Sequence, residues 1–251
     1  MENTLYITGA GVSSESGIPT FRGKDGFWTI GSENYTPQEM ATREMYMQKP
    51  EEFLYWYYKR FIKYKNAKPN EVHFWLNDKR LITQNIDGLD AKAGNKSYIP
   101  IHGRLDKLII FDDQNITIEP FDANWDLMDK EILLTENEKT KKKLLLDFFK
   151  ISHKTKVPDL GTSLKPYVLL FDEFYTEQYR ITEAKELMYN SDRFVFLGTS
   201  FSVGITSMAA EIAIAKECEI VIVDPNPIKI NYEKVIYKEF TAKEYIKNFI
   251  N

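Results

Sequence analysis

Cysteine is all but missing from this chain: Cys218 is the only one in 251 residues. That excludes an internal disulfide and any zinc cluster built on thiolates. No apolar run approaches the length of about 18 residues that a membrane-spanning helix needs, so no membrane partner is expected. The opening residues, Met1 to Gly11, lack a basic stretch followed by a long apolar one, which makes a cytoplasmic protein the expectation. Neither sign of charge dominates, with 33 Lys and Arg against 37 Asp and Glu and a formal net charge of -4. Nucleic acid is therefore not an expected partner. The chain carries no signature of its oligomeric state. What it has in quantity is apolar and aromatic: 43% hydrophobic residues, including 16 Phe and 15 Tyr, ample for a sizeable core.

Those apolar residues fall into short, continuous runs. Leu5 to Thr8 leads into Gly9-Ala10-Gly11, and Arg80 to Thr83 into Gln84-Asn85-Ile86-Asp87. Tyr167 to Phe171 ends at Asp172-Glu173, Arg193 to Leu197 at Gly198-Thr199-Ser200, and Ile220 to Val223 at Asp224. Runs without alternation are the pattern of strands buried on both faces of a parallel sheet. Amphipathic segments such as Thr176 to Tyr189 and Ile205 to Lys216 separate them. The pattern predicts an α/β fold with a doubly wound, Rossmann-like parallel sheet, in which ligands sit beyond the strand carboxyl ends. Two stretches break the alternation. Residues from about 36 to 65 read as helical and aromatic-rich, and those from about 105 to 165 as a hairpin followed by a lysine-rich helix. The hairpin is expected to pair Lys107 to Phe111 with Ile116 to Ile118. Both stretches are expected to form a smaller lobe inserted in one catalytic domain spanning residues 1–251.

Gly9-Ala10-Gly11 joins a strand to a helix, where absent Cβ atoms would let backbone N–H groups approach a pyrophosphate. Taken alone, such a loop is as readily a tight turn. Asn85 and Asp87 could simply cap a helix. His73 and His153 read as structural, and the aromatic run over 53–61 as core packing.

The longer motifs narrow these readings. Gly9 to Gly23 contains GAGVSSESGIPTFRG, Thr83 to Asp87 is TQNID, and His102-Gly103 follows in order. Lys165 to Glu173, Gly198-Thr199-Ser200 and Val223-Asp224-Pro225 add three further matches. Together they resemble the sirtuin (Sir2-like) family over roughly Leu5 to Asp224. The resemblance implies an NAD-dependent protein lysine deacylase, with NAD as co-substrate and an acyl-lysine protein or peptide as partner. Such enzymes move the acyl group to ADP-ribose and release nicotinamide. By the same resemblance, His102 is the general base, a task suited to a group titrating near neutrality. Asn85 holds the ribose, Asp87 meets the nicotinamide carboxamide and Phe21 covers the reacting carbon. Arg22, Gly9, Ala10, Gly11, Gln84, Gly198, Thr199 and Ser200 line the cofactor, and Asp224 takes the adenosine ribose. Phe171 falls on the strand that pairs with substrate peptide. A sirtuin-fold NAD hydrolase or ADP-ribosyltransferase remains the alternative.

Three departures matter. Most sirtuins carry two CxxC pairs after the HG motif, yet Gly103 to Lys165 contains no cysteine, so no zinc and no metal ligand is expected. Apolar residues such as Leu144, Leu145, Phe148 and Phe149 must then hold the small lobe together. Asp172 stands where the family usually has glycine. Tyr57 and Arg60, at Y-x-x-R spacing, resemble the pair that one sirtuin class uses for succinyl or malonyl carboxylates, although Arg60 could equally lie on a solvated face. Metal analysis of the purified protein is expected to find no stoichiometric zinc, and chelation to leave its circular dichroism unchanged. Zinc lost together with structure would contradict this.

Overall fold

A computed structural model describes residues 3–20 and 35–250. Among these, the strands in chain order are β1 Thr4–Thr8, β2 Arg80–Thr83, β3 Ile99–Pro100, β4 Gly103–Ile110 and β5 Phe121–Asp122. They continue with β6 Leu164–Val168, β7 Arg193–Leu197, β8 Glu219–Val223 and β9 Val235–Lys238. The helices are α1 Pro37–Met40, α2 Arg43–Gln48, α3 Pro50–Tyr64, α4 Glu71–Leu76 and α5 Leu89–Lys92. After them come α6 Trp125–Ile132, α7 Glu138–Phe148, α8 Ile181–Tyr189, α9 Gly204–Ala215 and α10 Ala242–Ile250. No helix among the described residues is long and apolar enough to cross a membrane.

The chain divides into two compact units. The first comprises residues 1–21, 67–101 and 179–251, the second residues 22–66 and 102–178. The first unit is built on a six-stranded parallel sheet in the order β3-β2-β1-β7-β8-β9. From β1 the chain builds outward to β2 and β3, then returns to the other side of β1 and builds outward again. That reversal makes the β1/β7 boundary the switch point of a doubly wound sheet. Tyr6, Leu81, Val195 and Val221 are in register on one face. There they join one buried cluster with Val72 and Leu76 of α4 and with Ala242, Tyr245 and Ile246 of α10. Leu5, Ile82, Phe194 and Ile220 point to the opposite face and are equally buried, which is why these strands carry no polar alternation.

The second unit holds a three-stranded sheet, β5-β4-β6, together with α1, α2, α3, α6 and α7. Two expectations are corrected here. The apolar run around Tyr167 belongs to β6, which pairs antiparallel with β4 and is not a member of the parallel sheet. A continuous apolar run records burial on two faces and carries no record of which sheet supplies the neighbours. The expected hairpin arm at Ile116 to Ile118 is not a strand either. The Gln178 side-chain amide takes the place of a partner strand, accepting from Ile118 N–H at 2.7 Å and donating to Ile118 C=O at 2.8 Å. Beyond Pro120, the short β5 pairs with β4 at Lys107↔Asp122 and Leu108↔Phe121.

Packing in this unit centres on Trp125. Its ring stacks on Phe61 of α3 at 4.7 Å and lies 5.9 Å from Phe149. Its indole N–H donates to Leu105 C=O at 3.0 Å, so even its polar atom is satisfied within the core. Trp125 thus joins α3, α6, α7 and β4 at one point. Trp125→Ala is expected to cost about 3–5 kcal/mol of stability, read as a fall in denaturant midpoint. An unchanged midpoint would show that the cluster does not hold the unit together.

Candidate active site

At the switch point, the loops after β1 and β7 are locked together. Gly9 N–H donates to Leu197 C=O at 3.1 Å, Gly11 N–H to Gly198 C=O at 2.9 Å, and Gly198 N–H to Val223 C=O at 2.9 Å. A Cβ on Gly9 would lie 2.7 Å from Gly198 O, one on Gly11 2.7 Å from Gly198 Cα, and one on Gly198 2.8 Å from Gly11 Cα. These glycines therefore answer first to the close approach of two backbones. The amides of Gly9 and Gly11 are directed to the carbonyls of Leu197 and Gly198. Gln84 and Thr199 reinforce the lock, the Gln84 amide donating to Thr8 C=O at 3.0 Å and to Thr199 Oγ1 at 3.1 Å. Ala10 opens the 3₁₀ turn Ala10–Ser16 that follows the lock. Ser200 is exposed beside it and shares a hydrogen bond with Ser202, while Asp224 at the end of β8 accepts from Asn226 N–H at 2.9 Å.

Buried Asn85 and Ser13 and half-buried Asp87 form a polar group beside the lock. Asn85 Nδ2 donates to Gly9 C=O at 3.0 Å and to Ser13 Oγ at 3.2 Å. This leaves the amide's Oδ1 outside the network as an acceptor. Ser13 Oγ–H donates to Asp87 Oδ2 at 2.6 Å, and Asp87 Oδ1 accepts from Leu89 N–H at 2.9 Å at the start of α5. Asp87 thus both satisfies the first amide of α5 and belongs to the polar group. Two members escaped the sequence reading. Ser13 lay inside the glycine-rich motif without an assigned role, and His73 was read as structural. His73 Nε2 lies 3.4 Å from Ser13 Oγ, but the two are 60 residues apart, and no local pattern links them.

The second unit carries the remaining candidates. His102 directly precedes β4 in the chain and its Nε2 lies 2.9 Å from Tyr175 Oη. Gly103 is demanded by the backbone: its φ is +79° and a Cβ there would lie 2.1 Å from Tyr167 O. Tyr57 and Arg60 sit on α3, and both are buried, Arg60 being 2% exposed, so the solvated-face alternative is set aside. Burial pushes the Arg60 guanidinium down to about 9, and its charge is held over the Trp56 ring, 3.3 Å from the centroid. Phe171 is half-exposed and its N–H donates to Ala41 C=O at 3.0 Å. The acid that replaces glycine at position 172 is accounted for. Asp172 accepts from Arg43 N–H at 2.6 Å and Glu44 N–H at 3.0 Å, the first two amides of α2. Glu173 is enclosed, accepting from Lys165 Nζ at 2.7 Å, Leu170 N–H at 3.0 Å and Arg43 at 3.2 Å. Phe21 and Arg22 lie outside the described residues. Among the described residues no group of three or more His, Cys, Asp or Glu could hold a metal ion.

Comparison with known proteins identifies this arrangement. The Sir2 family model matches residues 9–204. The NAD-dependent protein deacylase 1 of Caldanaerobacter subterraneus subsp. tengcongensis is 30% identical, covering 98% of this chain and 92% of its own. The NAD-dependent protein deacylase of Aquifex aeolicus is 31% identical over 96% of this chain and 90% of its own. A solved structure of a Sir2 homologue in complex with NAD superposes with a TM-score of 0.71 at 27% identity, covering 98% of this chain and 88% of that one.

One buried group close to Asp87 has a consequence for stability. Burial, and secondarily the nearby charge of Asp87, pushes the Asp90 carboxyl up to about 7, and its Oδ1 has no hydrogen-bond partner. A carboxyl that holds its proton more tightly in the folded chain contributes stability below its unfolded value near 3.8, lost as pH rises through about 7. Thermal unfolding from pH 4 to 8 should therefore show a decline that Asp90→Asn flattens, by roughly 2–4 kcal/mol at the alkaline end. A variant with the same pH slope as the parent would place the decline elsewhere.

Proposed function

This chain belongs to the Sir2 family of NAD-dependent protein deacylases, and we propose that within that activity it removes acid-bearing acyl groups from lysine. The Asn85–Ser13–Asp87 group at the switch point of the sheet is the observation that supports NAD as co-substrate. Such a sheet binds ligands at this position. When bound, NAD supplies a ribose carbon that accepts the acyl oxygen as nicotinamide departs. On this reading Asn85 Oδ1 accepts from a ribose hydroxyl, Asp87 faces the carboxamide, and Asp224 takes the adenosine ribose from its strand end. Ser200 and the turn beginning at Ala10 approach the phosphates. His102 deprotonates a ribose hydroxyl after nicotinamide has left. The peptide lies along the segment of Phe171, which the bonds of Asp172 and Glu173 fix in place.

The acyl preference rests on Tyr57 and Arg60. A buried guanidinium gains more from a carboxylate than an exposed one does, because little water competes for it. Tyr57, one turn away on α3, adds a hydroxyl donor. An acetyl group offers this pair no charge, whereas a succinyl or malonyl group does.

The test measures nicotinamide release with acetyl-lysine peptide, with succinyl-lysine peptide and with none. Succinyl-peptide is expected to be turned over about 10- to 100-fold more efficiently than acetyl-peptide, and Arg60→Met to remove the difference. Equal turnover of both peptides by the unaltered enzyme would rule out the acidic pocket. His102→Ala should cut acyl transfer roughly 100-fold or more while changing NAD affinity little. Release at full rate without peptide, and with no acylated ADP-ribose formed, would instead indicate an NAD hydrolase.

A further inference from the structure

His102 and Tyr175 face each other ring to ring, and both are half-buried. Their planes are inclined by 27° with centroids 5.8 Å apart, and Tyr175 Oη lies 2.9 Å from His102 Nε2. The backbone on each side of this contact is fastened to the end of β6. His102 C=O accepts from Leu169 N–H at 3.0 Å, and Gly103 pairs with Val168. Tyr175 lies between two anchors. Two positions before it, Glu173 is held by Lys165, Arg43 and Leu170 N–H. Three positions after it, the Gln178 side chain bonds both polar backbone atoms of Ile118, and Gln178 C=O accepts from Tyr167 Oη at 2.8 Å.

A phenol O–H is a stronger acid than an imidazole N–H, and an imidazole nitrogen is a stronger base than a phenol oxygen. In the neutral pair Tyr175 Oη–H therefore donates to His102 Nε2, and the ring keeps its own proton on Nδ1. That direction matters for a general base. A neutral imidazole offers one lone pair in its plane, and here Tyr175 already occupies it. A substrate hydroxyl can pass its proton to His102 only through Tyr175, or after displacing it. The anchors at Glu173 and Gln178 oppose displacement. Tyr175 Oη, in contrast, keeps lone pairs with which to accept a second hydrogen bond.

We propose that Tyr175 is a catalytic residue that carries the proton from the substrate hydroxyl to His102. The substrate O–H bond breaks as its proton passes to Tyr175 Oη, and the proton of Tyr175 passes to Nε2. His102 ends as imidazolium, Tyr175 ends as it began, and the electron pair stays on the substrate oxygen. Oη then accepts from the Nε2–H it has supplied, so the two residues stay bonded in both protonation states. The transfer rests on the function proposed above, and the direction of the bond between Tyr175 and His102 does not.

Two measurements on the full chain separate these parts. Nitrogen-15 spectra of the three histidines, taken without NAD in mildly alkaline buffer, are expected to show His102 as the Nδ1–H tautomer. His102→Ala identifies its signals, and Tyr175→Phe should move the Nε2 signal toward that of an unbonded acceptor. A neutral Nε2–H ring at His102 overturns the direction and the relay with it. With NAD and acyl-peptide, Tyr175→Phe should lower formation of acylated ADP-ribose about 100-fold. Exchange of labelled nicotinamide into NAD precedes the step assigned to His102, so it should be retained, which also shows the variant to be folded. Adding Tyr175→Phe to His102→Ala should cost nothing further, because one residue acts through the other. Unchanged or faster formation by Tyr175→Phe would show that the substrate displaces the hydroxyl, and would strike the relay alone. A loss shared equally by exchange would overturn it as well. If the unaltered protein releases no nicotinamide with any acyl-peptide, deacylase and relay fail together, while the spectra still decide the bond.

Discussion

The first unit depends on the mutual exclusion of three side chains at one point. Gly9, Gly11 and Gly198 let the loops after β1 and β7 touch backbone to backbone, and the bonds between them extend the sheet's pairing beyond its last residues. Gly198 has a φ of +61°, so a side chain there would be strained even if there were room for it. Any Cβ in this set would push the loops apart. Gln84 could no longer reach both Thr8 and Thr199, and the Asn85 amide would lose its Gly9 acceptor. The polar group beside the switch point is thus a consequence of backbone packing. Its side chains hold their geometry because the loops beneath them cannot move apart.

The second unit solves a comparable problem with charge. Glu173 is enclosed, and a carboxylate taken out of water is tolerable only with its acceptor sites filled. Lys165 and Arg43 supply cations and Leu170 an amide. Burial lowers the proton affinity of Lys165, and the Glu173 charge acts in the opposite direction. Asp172, one residue earlier, closes the exposed amides of α2. Adjacent acids therefore do separate work on the segment that follows β6. Where another chain uses glycine for freedom, this one uses a carboxylate to tie a loop to a helix.

Much of this was legible in the sequence, and the limits have physical causes. The parallel strands and their ends could be read because burial on both faces forces continuous apolar runs. The place of Asn85 and Asp87 just beyond a strand end could be read because their motif is local. The identity of a strand's neighbours could not, and so β6 was assigned to the parallel sheet. The second hairpin arm failed for a related reason: Gln178 can satisfy Ile118 from 60 residues away, and nothing near Ile118 announces it. His73 escaped because a lone histidine on an apolar helix looks the same whether it is filler or part of a polar group.

The arrangement of polar atoms also explains why the site tolerates so much burial. Desolvating Asn85, Ser13, Asp87 and His73 separately would cost far more than any one hydrogen bond returns. Linked in sequence, each group's donor meets the next group's acceptor. The chain of bonds ends on backbone at both sides, at Asn70 N–H and Leu89 N–H. Those two amides lie at the N-terminal ends of α4 and α5, where a helix leaves N–H groups that must be satisfied elsewhere. The fold fills them with atoms of this polar group, so closing the helix ends and orienting the group become the same set of bonds. A change that weakened the bonding at either helix end would be felt in the polar group.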